Sequence, residues 1–347
     1  MAGVLFLSAG QLGKDGCGWY RMEQPCRALV AAGVPADVTN RLPVVFGEGG
    51  GVARRVVRLR TEAPTLVFQR PLFDLTRQCV ELAAGEGRAV FVELDDDLWS
   101  LPAHDPASRQ ITPAMIATFA ACCRAATGVI VSTPALARQV TRHTGQKRVV
   151  VIPNAIDPAA MPPTPPRRDG ADLIVGWAGS ASHRRDFVVA RPALREVAAL
   201  PGVGVAIQGE DLLARTGIPH HAAAWTGSVA EHYRRCAHFD VAIAPLLPTA
   251  FNAAKSSIKW MESAYHGIPM VCSRVGPYAA DVRDGETGLL AALSAAFTRE
   301  LLRLVNDAAL RAEIGDAARA EIMARHLIAH RVPDYLQVLG LTAAQAA

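Results

Sequence analysis

Short apolar runs alternate with amphipathic stretches from one end of the chain to the other. Val4–Ser8, Leu66–Gln69, Val90–Leu94, Val129–Ser132 and Val149–Ile152 are rich in β-branched or aromatic residues and read as buried strands. Between them Arg21–Ala32, Pro113–Ala126 and Pro134–Thr144 have helical spacing. The segment Pro162–Gly170 (PPTPPRRDG) is too proline-rich to continue a helix or a central strand and reads as a linker. The alternation then restarts, with strands at Leu173–Trp177, Val203–Gln208, Val241–Ala244, Met270–Ser273 and Thr287–Leu290. A helix is expected from Arg184 to Ala199, and Leu293–Asn306, Ala308–Arg325 and Val332–Leu341 follow as helical patterns. Such alternation predicts an α/β protein with two Rossmann-like, doubly wound domains, over 1–161 and 171–328, facing each other across a cleft. The linker 162–170 joins them, and a last helix in 329–347 is expected to pack back on the first domain.

The most informative stretch is Phe239–Pro269, FDVAIAPLLPTAFNAAKSSIKWMESAYHGIP. Its apolar run leads into a loop, and Ser256 and Ser257 supply N-cap chemistry for a helix that Gly267 and Pro269 end. Lys255, Lys259, Glu262 and His266 fall on one polar stripe, opposite Ile258, Met261, Ala264 and Tyr265. Two readings fit. The stripe is a solvated face, or the lysines and the helix start form a phosphate site, because unpaired N–H groups and the helix dipole favour an anion.

Composition narrows the class. A chain of 347 residues has room for two cores. No apolar run reaches the ~18–20 residues of a membrane span. The opening MAGVLFLSAG lacks a basic flank and reads as a strand. The seven cysteines contain no CxxC pair, which suits reduced thiols in a cytoplasm, and no metal-ligand cluster stands out. The whole net charge of +4 lies in residues 1–170, with 19 basic residues against 15 acidic ones. Arg54, Arg55, Arg58 and Arg60 concentrate it, either as a solvated helix face or as a patch for an anionic partner such as nucleic acid or a membrane surface.

Three further constellations follow strands. Gly16 and Gly18, in the glycine-rich run after the first strand, read as a tight turn facing the cleft; their spacing does not fit a dinucleotide fingerprint. Asp95, Asp96 and Asp97 stand at a strand's carboxyl end, where three adjacent carboxylates are costly unless they serve a cation or a substrate hydroxyl. Gly176–Asp186 (GWAGSASHRRD) is a strand, a small-residue turn and an expected helix start, at which Arg184 and Arg185 oppose the dipole unless an anion lies nearby.

Together these motifs carry a resemblance. Residues 151–157 (VIPNAID), the GWAGSxxH turn, FDVAIAPL leading into FNxxKSxxKxxExxxxGIPMVCS, and Gly276-Pro-Tyr with Asp284–Leu290 resemble the donor half of retaining glycosyltransferases of GT-B architecture, group 1 or family 4. In the first half GxGWYRMxxP, VFQRP and LDDDLW resemble a branch of the same family. The resemblance implies a nucleotide-diphosphate sugar as donor, no prosthetic group and no required metal. It places the ribose on Glu262, and the diphosphate on the amides of Ser256, Ser257 and Ile258 with Arg184, Arg185, Lys255 and Lys259. The base would lie near Glu210, Trp225, Gly227 and Ser228. The chain departs from the family at Ala254, where a sugar-binding Glu usually stands, and at Ser180, where a phosphate-binding Arg usually stands.

The expected reaction is transfer of a sugar to a hydroxyl with retention, Arg185 and Lys259 stabilising the departing diphosphate and Asp95 or Asp96 orienting the acceptor. The acceptor is open: a hydroxylated base in DNA, or an anionic lipid or membrane-linked glycan met by a cytoplasmic protein, free or peripheral at the inner membrane face. Two rivals are a metal-dependent transferase using Asp95–Asp97 and a non-catalytic sugar-nucleotide or nucleic-acid binder.

Overall fold

The computed structural model describes residues 3–47, 55–166, 172–225 and 227–342. Two compact units are present. One runs to Leu101, resumes over Arg109–Asn154 and takes up the chain again at Ile328; the other comprises Pro102–Ser108 and Ala155–Leu327.

The first unit contains β1 (Val4–Leu7), β2 (Ala36–Thr39), β3 (Val44–Phe46), β4 (Val56–Leu59), β5 (Thr65–Gln69), β6 (Ala89–Leu94), β7 (Gly128–Val131) and β8 (Val149–Val151). Six of these form a sheet in the order β2-β1-β5-β6-β7-β8, with every pairing parallel. Its central strands are buried on both faces, which is why they read as unbroken apolar runs. One core cluster joins Phe6, Met22, Leu29, Val67, Phe91 and Ile130 to Tyr335 and Val338 of the helix Val332–Leu339.

In the second unit, β9 (Leu173–Gly179), β10 (Val203–Gly209), β11 (His221–Ala223), β12 (Val241–Ala244), β13 (Met270–Ser273) and β14 (Leu289–Ala291) form a parallel sheet. Their order is β11-β10-β9-β12-β13-β14, so the winding reverses between β9 and β12. Trp177, Phe187, Leu194, Ile207, Val241, Phe297 and Leu301 share its core.

Several local expectations need correction. The helix expected from Arg184 to Ala199 is broken: short 3-10 turns at Ala181–His183 and Asp186–Val188 precede an α-helix at Arg191–Val197. Asp186 is drawn inward by three hydrogen bonds, and Pro192 is tolerated only in the first turn of the later helix. Arg184 and Arg185 therefore do not open an α-helix. Gly16–Gly18 is helical rather than a turn, because Asp15 caps it and accepts from the Gly18 N–H at 3.0 Å. Arg58 lies on β4, paired antiparallel with β3, and Arg55 and Arg60 flank that strand, so these three are not on a helix face. Arg55, Arg58 and Arg60 are exposed, while Arg54 lies outside the described residues. Pro162–Pro166 has no regular structure, and 167–170 also lie outside the described residues.

Candidate functional site

Where a parallel sheet reverses its winding, two adjacent strands send their following loops to opposite faces and leave a crevice at their carboxyl ends. In the second unit those strands are β9 and β12. Beyond β9 come Ser180–Asp186; beyond β12 come a loop, the short helix Ala250–Ala254 and the helix Ile258–Tyr265. The edge of the crevice is tightly built. Gly209 has φ +97°, and a Cβ there would lie 2.2 Å from the carbonyl oxygen of Gly179, so no other residue fits. The following Glu210 N–H donates to that carbonyl at 3.0 Å.

Asp186 ties the two loops together. Its Oδ1 accepts from the Leu247 N–H at 2.9 Å and from Asn252 Nδ2 at 2.7 Å, and its Oδ2 accepts from His183 Nδ1 at 3.0 Å. Burial, and then the charge of Lys259, push the His183 pKa down to about 3.

Lys255 is not on the long helix. It closes the short one, with its ammonium 4.3 Å from the centre of the Phe251 ring. Ser257 stands at the N-cap of Ile258–Tyr265 but makes no side-chain cap; its hydroxyl donates instead to Asp281 at 2.5 Å. Nor is the polar stripe a solvated face, since Glu262 and His266 are both buried. Glu262 faces His232, and beside His266 the helix Ala308–Arg325 packs so closely that a Cβ on Gly315 would lie 2.1 Å from the Gly267 oxygen. Buried His266 accepts or donates at Nδ1 with the Thr164 hydroxyl at 3.1 Å, and burial pushes its pKa down to about 4.

Lys259 is half-buried and makes no hydrogen bond or ion pair with any described residue. Burial, and then Lys255, hold its pKa below the usual lysine value. Glu262 is engaged by His232, whose Nε2 lies 3.2 Å from Oε2. Burial opposes charge on this imidazole, but Glu262, with Cys236 behind it, outweighs burial and holds the His232 pKa up to about 10. The exposed Trp225 has its ring 5.2 Å from that of His232. Gly227 has φ +68°, and Ser228 caps Val229–Cys236, its hydroxyl accepting from the Glu231 N–H at 3.3 Å. Glu210 accepts from Arg184 at 2.7 Å, whereas exposed Arg185 has no hydrogen bond or ion pair with a described residue.

The first unit treats its three aspartates differently. Asp97 is 1% exposed and its Oδ1 accepts from the Trp99 N–H at 2.9 Å, so it holds a turn. Asp95 accepts from Asn154 Nδ2 at 3.2 Å. Asp96 has the Cys17 thiol 3.9 Å from its Oδ2. Behind them, buried Arg21 donates to Glu93 at 2.7 Å, to the Ile152 carbonyl at 2.8 Å and to Asn154 Oδ1 at 2.9 Å. Burial drives the Glu93 pKa up to about 7 although Arg21 opposes the shift. Arg70 has the left-handed φ of +40°, a strained geometry for an arginine, and interacts electrostatically with Cys17 and Asp96. Gly18 is required by close packing: a Cβ there would lie 2.8 Å from Ser8 Oγ.

Sequence reasoning missed His183, Asp186, Asn252, His232, Arg21 and Arg70 as members of these clusters. A histidine and an aspartate three apart after a small-residue turn were visible signals for the first pair. His232 had none, because its partner is thirty residues away.

Residues 184–337 match a family described as "Glycosyl transferase-like". This bears out the resemblance to group 1 glycosyltransferases. No curated protein matches the chain by sequence. Among solved structures, TarM superposes with a TM-score of 0.60 at 14% identity, over 79% of this chain and 54% of TarM, so the chain spans about half of TarM's length. Sucrose-phosphate synthase from Thermosynechococcus elongatus gives 0.66 at 16% identity, over 97% of this chain and 98% of that one. HepE from Anabaena, in complex with UDP and glucose, gives 0.65 at 16% identity, over 98% and 100%. The fold is therefore GT-B: two Rossmann-like units, each on a parallel sheet.

Proposed function

We propose that this chain is a retaining glycosyltransferase that moves a sugar from a nucleotide-diphosphate sugar to a hydroxyl. One observation carries the reading: Lys259 is a half-buried ammonium without hydrogen bond or ion pair among the described residues, beside Lys255 and the start of a helix. Such a charge is costly to keep and is compensated when an anion arrives. A diphosphate fits, because the first N–H groups of the helix have no acceptor within it. The family match and the UDP bound to HepE support the same ligand class.

In this reading the amides of Ser256, Ser257 and Ile258, with Arg184, Arg185, Lys255 and Lys259, hold the diphosphate. Glu262 takes the ribose, and the base lies against Glu210, Trp225, Gly227 and Ser228. As the sugar–phosphate bond breaks, charge builds on the departing oxygen, and Arg185 and Lys259 stabilise it without need of a metal. The sugar becomes oxocarbenium-like, and the acceptor attacks the face that the phosphate leaves, giving its proton to that phosphate. Asp95 or Asp96 orients the acceptor hydroxyl; Asp97, committed to its turn, does not. Ala254 is packed at 1% exposure, so the sugar contact comes from another residue.

For the acceptor, a hydroxylated base in duplex DNA is favoured by exposed Arg55, Arg58 and Arg60 around one hairpin strand. The test is incubation with UDP-, GDP- and ADP-sugars and hydroxylated DNA, anionic lipid or glycan acceptors, read by mass spectrometry. Transfer that collapses in Arg185→Ala and Lys259→Met supports the assignment. Absence of nucleotide binding, or full turnover in both variants, overturns it.

A further inference from the structure

We propose that His183 is a proton-accepting contact for the donor's diphosphate, uncharged in the empty site and an imidazolium while the nucleotide is bound. The inference rests on the donor site proposed above and adds to it a residue and a proton.

The geometry fixes one nitrogen and leaves the other available. His183 Nδ1 lies 3.0 Å from Asp186 Oδ2, and a carboxylate oxygen can only accept, so Nδ1 carries a hydrogen in either charge state. Asp186 is held in turn by the Leu247 N–H and by Asn252 Nδ2, which fixes the ring orientation. Trp177 packs edge-on to the ring with centroids 5.9 Å apart. The neutral imidazole must then present a lone pair at Nε2. This nitrogen has no hydrogen-bond partner among the described residues, and the side chain keeps 8% of its surface exposed.

The charged groups that act on the ring come from both loops: Lys259 on its helix, Lys255 before that helix, and Asp186 on the histidine's own segment. Two cations against one carboxylate, in a buried place, keep the second proton off in the empty site. A diphosphate near Lys255 and Lys259 reverses that balance, because an opposite charge within ~4–6 Å favours the ionised ring. The step is simple. Solvent supplies one proton to Nε2 as the nucleotide binds, the new N–H donates to a phosphate oxygen, and the proton returns to solvent when the nucleotide leaves. No covalent bond changes. Positive charge thereby faces the phosphate only while the phosphate is present.

The experiment is isothermal titration of UDP-, GDP- and ADP-glucose into the full chain at pH 6.5 and 8.0, in two buffers of different ionisation enthalpy. Diphosphate diesters carry no proton that titrates near neutrality, so uptake reports on the protein. The expected result is fractional proton uptake at pH 6.5 and affinity at least threefold tighter than at pH 8.0. In His183→Gln, which keeps a donor for Asp186, both the proton uptake and the pH dependence of affinity vanish. Nitrogen-15 spectra of the histidines give a second readout: Nε2 of His183 moves from a lone-pair to a protonated shift on nucleotide addition. Binding without proton uptake, uptake that persists in His183→Gln, or an unmoved Nε2 resonance overturns the proposal and leaves the donor site standing. Failure of every sugar nucleotide to bind overturns both.

Discussion

His232 Nε2 and Glu262 Oε2 lie 3.2 Å apart, thirty residues separated in sequence and both largely enclosed. The pair joins the helix that follows Trp225 to the helix that follows Lys255. It therefore sets where a carboxylate aimed at a ribose would stand.

Its pH dependence follows from the direction of the shift. The folded His232 pKa, about 10, is above the ordinary histidine value of ~6.5, so the folded state holds the proton more tightly. The stabilisation is complete below ~6.5, declines as the unfolded chain alone loses its proton, and is gone once pH passes through about 10. Wild-type Tm should fall more steeply than that of His232→Gln between pH 7 and 10. Parallel melting curves would refute the pairing.

Lys259→Met should separate stability from activity. Removing an ammonium that has no bonded partner relieves a burial cost, so urea stability should hold or rise by on the order of 1 kcal/mol. Loss of a cation that acts on a departing phosphate should lower kcat/KM by ~10²–10³-fold. Denaturation and turnover measured on one preparation test both halves, and a variant that is less stable yet fully active contradicts the assignment.

Arg21 and Glu93 are 0% and 1% exposed at the side chain. Truncating either to alanine strands a buried charge and should cost about 3–5 kcal/mol. Arg21→Met with Glu93→Leu together should cost less than either single change, although Arg21 also serves the Ile152 carbonyl and Asn154. A double-mutant cycle by chemical denaturation decides it; simple additivity would show that the two side chains do not depend on each other.

Gly209→Ala should destabilise the second unit by about 1–3 kcal/mol or more, since the added methyl meets the Gly179 oxygen and the residue has positive φ. Gly217→Ala is the control: its φ is also positive, at +70°, but nothing lies within 4 Å of the new Cβ. Equal losses in the two variants would remove the argument from close approach.

Most of the sheet strands were legible because strands buried on both faces cannot hide their apolar runs; β12 and β13 begin and end where the pattern places them. β2 and β11 were not, since Ala36–Thr39 and His221–Ala223 lie at sheet edges and carry polar residues. The β3–β4 pair is short and half-exposed, with Arg55, Arg58 and Arg60 on or beside β4, so its residues mimic a solvated helix face. At the site, local chemistry placed Lys259 and Glu262 on one helix face. That Glu262 is engaged depends on His232, thirty residues before it, and the close packing beside His266 depends on Gly315, about fifty residues beyond; no local pattern contains that information.

Tyr335, Val338 and Leu339 share the core of Val4, Phe6 and Met22, and the Val338 carbonyl accepts from Arg148 at 2.9 Å. The strands of the sheet that β1 belongs to are all made by Val151, but the core on one of its faces is completed only by Val332–Leu339, from beyond the second unit. Ala155–Leu327 emerges in between as an uninterrupted stretch, lacking only Pro102–Ser108 from its unit, and that segment is already synthesised. Until Val332–Leu339 has been made, the apolar side chains of Val4, Phe6 and Met22 lack the cover of Tyr335, Val338 and Leu339, although Ala155–Leu327 is by then already synthesised.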